Sequence, residues 1–518
     1  MTNNQKQKTI TIEQGSIEKT EVDAIIVNLF DGVRYPGGAT GAIDRALGGA
    51  ISDVIATGDL RGKLGETVVL YPRGEIPAKR VIVVGLGPAD EFSLEGVREA
   101  AAAAALQAQK LGVDSLATIV HGTGIGGMEP TDAAQALVEG TLLALYRYQS
   151  PLPRTPETPP HDISSFKIVE FSAEKLSAIR EGARAGEIIA RSVYLTRTLV
   201  NLPSNIATPT YIAETAQKMC AENGLSCRVL DEDELRAEGM NVMLSVTQGA
   251  AQPAKFIIME HNPAGAPNTG SPVVLVGKGV AFDTGGYSLK TRTGMPGMHG
   301  DMAGGAAVIG TMQAVAQLNV PLHVMGLVPT VENVISATAY KPNDVFVAKN
   351  GVSVEIISTD AEGRLILADA LCYAATLNPS AVIDVATLTG GKVVALGART
   401  SGLFANDGKL HEKLQDAAEK ASEPVWRLPL DPAYDRQLKS PIADLKNTGG
   451  RDASAITAAR FLHHFIGDHP WAHIDMASGE FYEPGPNHTP RKYVPKGATG
   501  VPVRTLVEFL RRWVSTNE

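Results

Sequence analysis

Four short segments of the chain set carboxylates and lysines among glycines, a mixture suited to binding cations and moving protons. The first is VGKGVAFDTGGYSLK, which carries Lys278, Asp283 and Lys290. The second is MHGDMAGGA, which carries Met298 and Asp301; the third is STDAEGRL, with Asp360, Glu362 and Arg364; the fourth is ATLTGGK, with Thr387, Leu388 and Gly390. A phosphate-binding loop is the rival for the first segment. It fails because Gly277 and Gly279 form a GxG without the later Gly, and no Lys-Ser or Lys-Thr closes a Walker motif. Asp301 alone reads as a helix N-cap, the usual place for Asp before an Ala/Gly-rich helix. Asp360 and Glu362 lie two apart on what reads as an extended connector, which points both side chains to one side. Two like charges there repel unless a cation neutralises them or they share a proton. A surface salt-bridge cluster with Arg364 is the plainer alternative.

Together these segments supply three Asp, one Glu and Lys side chains, with no Cys and no suitable His. Oxygen-rich ligands suit Mg, Mn or a catalytic Zn rather than a structural Zn. Four carboxylates converging on one site require about two divalent ions to balance them, the make-up of a two-metal hydrolase. A HExxH zinc helix is absent. His463, His464 and His469 read as packing or surface residues.

The elements that would position these groups follow from the pattern. PVVLVG runs into the first segment, VSVEIIS into the third and AVIDVATL into the fourth, and HVMGLV is a further apolar strand. Ligands of open α/β sheets bind at the carboxyl ends of strands. Helical patterns fall between the strands at 303–318, 364–377 and 453–466. Ahead of this larger part, ITIEQG, VDAIIVNLF, ETVVLYP, KRVIVVGLG, SLATIVHG and FKIVEF read as strands, with helices at 41–57, 94–112 and 131–148. Such alternation implies a mostly parallel sheet covered on both faces. Five prolines in SPLPRTPETPP, residues 150–160, make that stretch an exposed loop. The expected organisation is α/β: a first domain at 1–172, a connecting helix at 173–200 and a second domain at 201–518.

Composition narrows the class. Over 518 residues, 47 Lys plus Arg against 56 Asp plus Glu give a formal charge of −9, which weighs against nonspecific binding to nucleic acid or anionic lipid. Aromatic residues are only 5% while Gly reaches 52, as in an enzyme with many tight loops. Three cysteines, at 220, 227 and 372, exclude a disulfide framework and a four-Cys zinc site. The opening MTNNQKQKTITIEQG has no apolar core of signal-peptide length. No uncharged apolar run approaches the ~18 residues of a membrane helix, so a cytoplasmic location is expected.

The motifs also carry a resemblance. TDAEGRL, which contains Asp360 to Leu365, resembles the signature of the leucyl aminopeptidase family of dinuclear zinc exopeptidases, peptidase family M17. The stretch from Gly277 to Lys290 resembles the family's VGKGITFDSGGISIK, and MHGDMAGGAA its MK-x-DM-x-GAA. DVATLTGG, PWAHIDMA and KGATGVPVRTLVEFL resemble later family segments in the same order. The resemblance implies an N-terminal macro-like α/β domain, a larger C-terminal metallopeptidase domain, and release of N-terminal residues, Leu among them, by metal-activated water. It implies that Lys278, Asp283, Asp301 and Glu362 hold the tighter metal, and that Asp283, Asp360 and Glu362 hold the more exchangeable one. Zn and Mn are the expected ions, with Mg or Co possible at the exchangeable site. Lys290 would stabilise the oxyanion, Arg364 would hold a bicarbonate that acts as general base, and Leu388 would position both by its backbone. Met298, Thr387, Gly390 and Ala477 would line the pocket for the substrate's first side chain. The expected partners are short peptides with a free N-terminus and further copies of the chain, in a homohexamer of two stacked trimers.

The chain departs from the family pattern at Ser358, where Asn is usual, and at Tyr287, Leu289 and His299. Met476-Ala477-Ser478 replaces Ile-Ala-Gly, and Glu480 follows. The implied ligands are all present, so these changes bear on side-chain preference. A rival reading gives the N-terminal domain a nucleotide- or nucleic-acid-binding role, beside or instead of catalysis. VDAIIVNLF and GGATGAIDRALGG are similar to macro domains, which bind ADP-ribose. Leu29-Phe30-Asp31-Gly32 stands where those domains have an Asn-rich loop, so a retained fold without nucleotide binding is expected.

Overall fold

The computed structural model describes residues 8–124, 126–152, 161–268, 270–486 and 488–515. Its backbone divides into two compact units, residues 1–191 with 490–495 and residues 192–489 with 496–518.

The first unit is built on a six-stranded sheet in the order Thr9–Gln14, Ser165–Glu170, Ser115–Thr118, Ala24–Leu29, Val81–Gly85 and Thr67–Leu70. Only the last pair is antiparallel. Every residue of Val81–Gly85 is buried, which explains its unbroken apolar run. The helices Leu94–Lys110 and Pro130–Ala144 pack closely: a Cβ on Gly140 would stand 2.4 Å from the Arg98 carbonyl oxygen. A buried Arg98–Glu139 ion pair at 2.7 Å joins the same two helices. The single helix expected over 41–57 is two, Gly38–Ala46 and Ala50–Thr57. Gly48 and Gly49 between them have φ of 64° and 94°. These left-handed conformations stop the first helix, and Gly adopts them at no steric cost. Of the proline-rich stretch, residues 153–160 lie outside the described residues. A 26-residue helix, Leu176–Asn201, follows a short 3-10 turn at Ala173–Lys175.

One buried histidine makes this unit sensitive to acid. His121 follows the strand Ser115–Thr118, is fully buried, and shares a 2.9 Å hydrogen bond between its Nδ1 and Asn28 Nδ2. Its Nε2 has no partner. Burial lowers its pKa to about 4. The unfolded chain therefore takes up this proton first, so the contribution is complete above the ordinary value and is lost as pH falls from ~6.5 towards 4. Between pH 7 and pH 5 the expected loss is about 2 kcal/mol. Denaturant unfolding of the full chain and of His121→Gln at both pH values checks this. The same pH dependence in both proteins would contradict it.

The second unit carries the larger sheet. Its order is Val425–Arg427, Ser401–Ala405, Trp471–Asp475, Ala381–Ala386, Val273–Gly277, Val324–Asn333, Lys255–His261 and Ser226–Leu230, with Gly279–Asp283 also paired to Val324–Asn333. Five of these strands run parallel in sequence along the sheet: Trp471–Asp475, Ala381–Ala386, Val273–Gly277, Val324–Asn333 and Gly279–Asp283. Their carboxyl ends share one edge, and of the candidate residues Lys278, Asp283, Thr387 and Ala477 stand at or just beyond it. The helix Ala303–Gln317 presses directly on this layer, because a Cβ on Gly304 would stand 2.2 Å from the Val385 carbonyl oxygen. VSVEIIS does not join the main sheet. Only Ser353–Glu355 is strand, between Val345–Val347 and Leu445–Lys446 in a separate three-stranded sheet. The core below the site is closed by Trp471, whose Nε1 donates to Asp384 Oδ2 at 2.6 Å, while His473 Nδ1 meets Asp384 Oδ1 at 2.5 Å. Among the described residues no helix is long and apolar enough to cross a membrane.

Candidate metal centre

Lys278 leaves the strand Val273–Gly277 and turns inward. Its Nζ lies 2.8 Å from Asp301 Oδ1 and 3.0 Å from Glu362 Oε1, and donates to the Thr387 carbonyl at 2.9 Å. Lys290 forms a second pairing, with Nζ 2.7 Å from Asp283 Oδ2 and 2.5 Å from Asp360 Oδ1. The two lysines thus take the four carboxylates in pairs. Carboxylate oxygens of Asp283, Asp301 and Glu362 lie within 4.8 Å of one another, and all three residues are buried.

Each carboxylate is placed by its own local device. Asp283 ends the strand Gly279–Asp283, and its Oδ1 accepts from Asn333 Nδ2 at 2.7 Å and from the Gly285 N–H at 2.8 Å. Asp301 does not cap the helix that follows; its Oδ1 accepts from Thr387 Oγ1 at 2.7 Å instead. Asp360 and Glu362 do not share one face of an extended connector. Glu362 already has helical backbone, φ −72° and ψ −38°, at the start of helix Gly363–Thr376. The turn therefore sends Glu362 in to Lys278 and leaves Asp360 more exposed beside Lys290. Gly363 permits this, since a Cβ there would stand 2.4 Å from Lys278 Cε.

Residues not singled out from the sequence hold this turn. Thr359 Oγ1 donates to the Gly285 carbonyl at 2.6 Å, and the Thr359 carbonyl accepts from Asn333 Nδ2 at 2.9 Å and Tyr340 Oη at 2.8 Å. Asn447 receives the Ile357 and Ser358 N–H groups on its Oδ1 and the Arg364 Nη1 on its carbonyl. Asp475 accepts from the Leu388 and Ala477 N–H groups and from Thr389 Oγ1. It thereby joins two segments of the proposed substrate pocket. Met298 opens the turn just before Asp301, and Gly390 opens the helix after Thr389. Asn333 and Asp475 could have been noticed as polar residues at the ends of apolar strands. Tyr340 and Asn447 had no such signal.

The electrostatics are those of a crowded anionic site. Burial opposes the charge on Lys278, but Asp301, Glu362 and Asp283 outweigh it and push the pKa up. Burial, reinforced by Glu362, raises Asp283 to about 6. Burial lifts Asp301 well above the carboxylate range, against the pull of Lys278. Arg364 is lowered to about 10 by burial, with Glu362 and Asp475 acting against the shift. Asp301 Oδ2, Glu362 Oε2 and Arg364 Nε are buried without hydrogen-bond partners. Unpaired buried carboxylate oxygens beside two further carboxylates fit a divalent cation, and the oxygen-rich donor set fits a hard or borderline ion.

A largely buried carboxylate–lysine cluster beside the carboxyl edge of a mixed α/β sheet fits a metal-dependent hydrolase. Comparison with known proteins makes this specific. The catalytic-domain model of the cytosol aminopeptidase family matches residues 194–507, and the family's N-terminal-domain model matches residues 26–150. A probable cytosol aminopeptidase of Syntrophotalea carbinolica is 43% identical over 91% of this chain and 93% of its own. One from Roseiflexus castenholzii is 40% identical over 97% and 99%. Among solved structures, a mutant of tomato leucine aminopeptidase superposes with a TM-score of 0.84 at 29% identity, over 98% of this chain and 97% of its own. The bottromycin maturation enzyme BotP in complex with Mn does so with a TM-score of 0.82 at 33% identity, over 95% and 99%. The chain belongs to the cytosol aminopeptidase family. It is a metal-dependent aminopeptidase, and binding of nucleotide or nucleic acid in place of catalysis is not favoured.

Proposed function

We propose that the chain removes N-terminal amino acids, Leu among them, from short peptides with a free N-terminus, using two divalent ions and a bicarbonate. The observation that carries this reading is the pair of buried, unpartnered oxygens, Asp301 Oδ2 and Glu362 Oε2, within the cluster. Lys278, Asp283, Asp301 and Glu362 would hold one ion, and Asp283, Asp360 and Glu362 the other, Zn or Mn in the first instance. When bound, the ions supply Lewis-acid polarisation and an acidified water, and the bicarbonate a proton acceptor.

The chain's own residues then have distinct tasks. Asp301 presents its free oxygen to the substrate's α-amine, which fixes cleavage at the first peptide bond. Lys290 keeps its charge, held by Asp283 and Asp360, and donates to the scissile carbonyl oxygen as negative charge develops there. Arg364, whose buried Nε has no partner, would hold the anion. Leu388, tied by its N–H to Asp475, holds substrate and anion by its backbone, and Met298, Thr387, Gly390 and Ala477 line the pocket for the first side chain.

Residues 1–172, 173–200 and 201–518 are assigned to an N-terminal domain, a connecting helix and the catalytic domain. The helix Leu176–Asn201 accounts for the connector, while the two compact units divide within it, between 191 and 192, and the first takes in 490–495. A cytoplasmic homohexamer completes the proposal, and its solution mass checks the assembly. The functional reading is tested by comparing leucinamide with N-acetyl-leucinamide as substrates of the metal-loaded protein. Release from leucinamide alone is expected. Equal release from both would contradict a requirement for the free amine.

A further inference from the structure

We propose that Glu480 forms part of the wall of the pocket for the substrate's first side chain and makes that pocket accept a cationic side chain, Arg or Lys, as well as Leu. The proposal rests on the aminopeptidase reading of the site and names the substrate class within it.

The backbone brings Glu480 to this place by a tight turn. The chain leaves the strand Trp471–Asp475 and reverses through Ser478, whose φ is 63°, with the Gly479 N–H donating to the Met476 carbonyl at 2.7 Å. Thr499 then pins the chain from the other side, through its N–H to the Glu480 carbonyl at 2.9 Å and its Oγ1 to the Gly479 carbonyl at 2.7 Å. Three residues before Glu480, Ala477 is tied to Asp475 and so to Leu388 and Thr389. One residue after it, the Phe481 ring packs so closely on Gly300 that a Cβ there would stand 2.2 Å from the ring, and it lies 5.2 Å from the His299 ring. Glu480 is therefore flanked by contacts to both sequence neighbourhoods of the proposed pocket, 298–301 and 387–390.

Among the described residues its carboxylate makes no direct ion pair. Oε2 is buried and has no hydrogen-bond partner. Two lysines are close enough to act on it, Lys392 and Lys278, but both ammonium groups are engaged elsewhere. Lys392 donates to the Gly397 and Ala477 carbonyls at 2.8 and 2.9 Å. Lys278 is taken by Asp301, Glu362 and the Thr387 carbonyl. Burial raises the carboxyl pKa to about 7, only partly offset by a hydrogen bond from the residue's own N–H and by the two lysines. A buried carboxylate oxygen without a hydrogen-bond partner is costly in a protein interior, and Glu480 Oε2 is one. A cationic guest supplies what is missing. The aliphatic stems of Arg and Lys can pack where a Leu side chain would, so the carboxylate would add a preference without removing the existing one.

The test uses the metal-loaded full chain and three amides: leucinamide, argininamide and citrullinamide, the last having the shape of the arginine compound without its charge. In the unmodified protein, kcat/KM for the arginine amide is expected to exceed that for the citrulline amide by on the order of 10–100-fold, the worth of a charge-assisted hydrogen bond. Glu480→Gln and Glu480→Met are each expected to bring that ratio close to one, and Glu480→Asp to recover part of it. Calorimetric binding of free arginine against citrulline gives a second readout that does not depend on turnover. A ratio near one in the unmodified protein, or an unchanged ratio in both variants, overturns the proposal. Failure to hydrolyse leucinamide with any metal overturns the aminopeptidase reading itself and the proposal with it. Ready hydrolysis of leucinamide with no discrimination between arginine and citrulline overturns the proposal alone.

Discussion

Asp283→Ala and Glu362→Ala are each expected to abolish release of leucine from leucinamide and to lower the metal content of the purified protein. The reason lies in where the two carboxylates stand. Glu362 reaches Lys278 on one side of the cluster, and Asp283 reaches Lys290 on the other. Together with Asp301 they keep their oxygens within 4.8 Å of one another. Each is proposed to serve both ions, so either truncation removes a donor from two places at once. Each truncation also takes a carboxylate partner from a lysine, Lys290 for Asp283 and Lys278 for Glu362, so circular dichroism of the variants accompanies the rate assay to separate loss of metal from loss of fold. Metal analysis beside the rate assay checks the claim. Full activity with an unchanged metal content in either variant would show that the site is elsewhere.

Lys290→Ala and Lys278→Ala are expected to fail in different ways. Lys290 lies beside Asp283 and Asp360 at the more open side of the cluster and is proposed to act on the oxyanion. Its loss should reduce kcat by ~10²–10³-fold, the scale of removing one oxyanion donor, while metal is retained. Lys278 is buried among Asp301, Glu362 and the Thr387 carbonyl and is proposed to be a ligand once neutral, a state that an adjacent dication favours. Its loss should weaken metal binding, and added metal should restore part of the rate. Identical behaviour of the two variants in both assays would mean that the roles are wrongly divided.

Much of this centre was legible before the fold was known, because the residues stand in short segments at the ends of apolar strands. Lys278, Asp283 and Thr387 follow directly from strands that run parallel to one shared edge, and that is what a strand–loop reading can see. The turn at 358–362 was not legible. An extended reading placed Asp360 and Glu362 on one face, whereas tertiary bonds from Asn333, Tyr340 and Asn447 wind the segment so that Glu362 is already helical. These partners lie tens of residues away, and spacing within the segment carries no trace of them. VSVEIIS misled for a related reason: an alternating apolar pattern shows that one face is covered but not by which sheet, and here it is a small separate one. Within the first unit, Gly48 and Gly49 were visible as glycines, yet only their left-handed φ values show that they end a helix rather than interrupt it mildly.

The central claim is that the cluster around Lys278, Asp283, Asp301, Asp360 and Glu362 is a divalent-metal centre that hydrolyses the N-terminal peptide bond. It is tested most directly by stripping the unmodified protein with a chelator and returning Zn, Mn, Mg or Co singly, with bound metal and leucinamide hydrolysis measured on the same samples. The expected result is no hydrolysis after stripping, and recovery that rises with metal content to two ions per chain for at least one metal. Hydrolysis that persists at full rate in the stripped protein, or metal uptake that restores none of it, would contradict the claim.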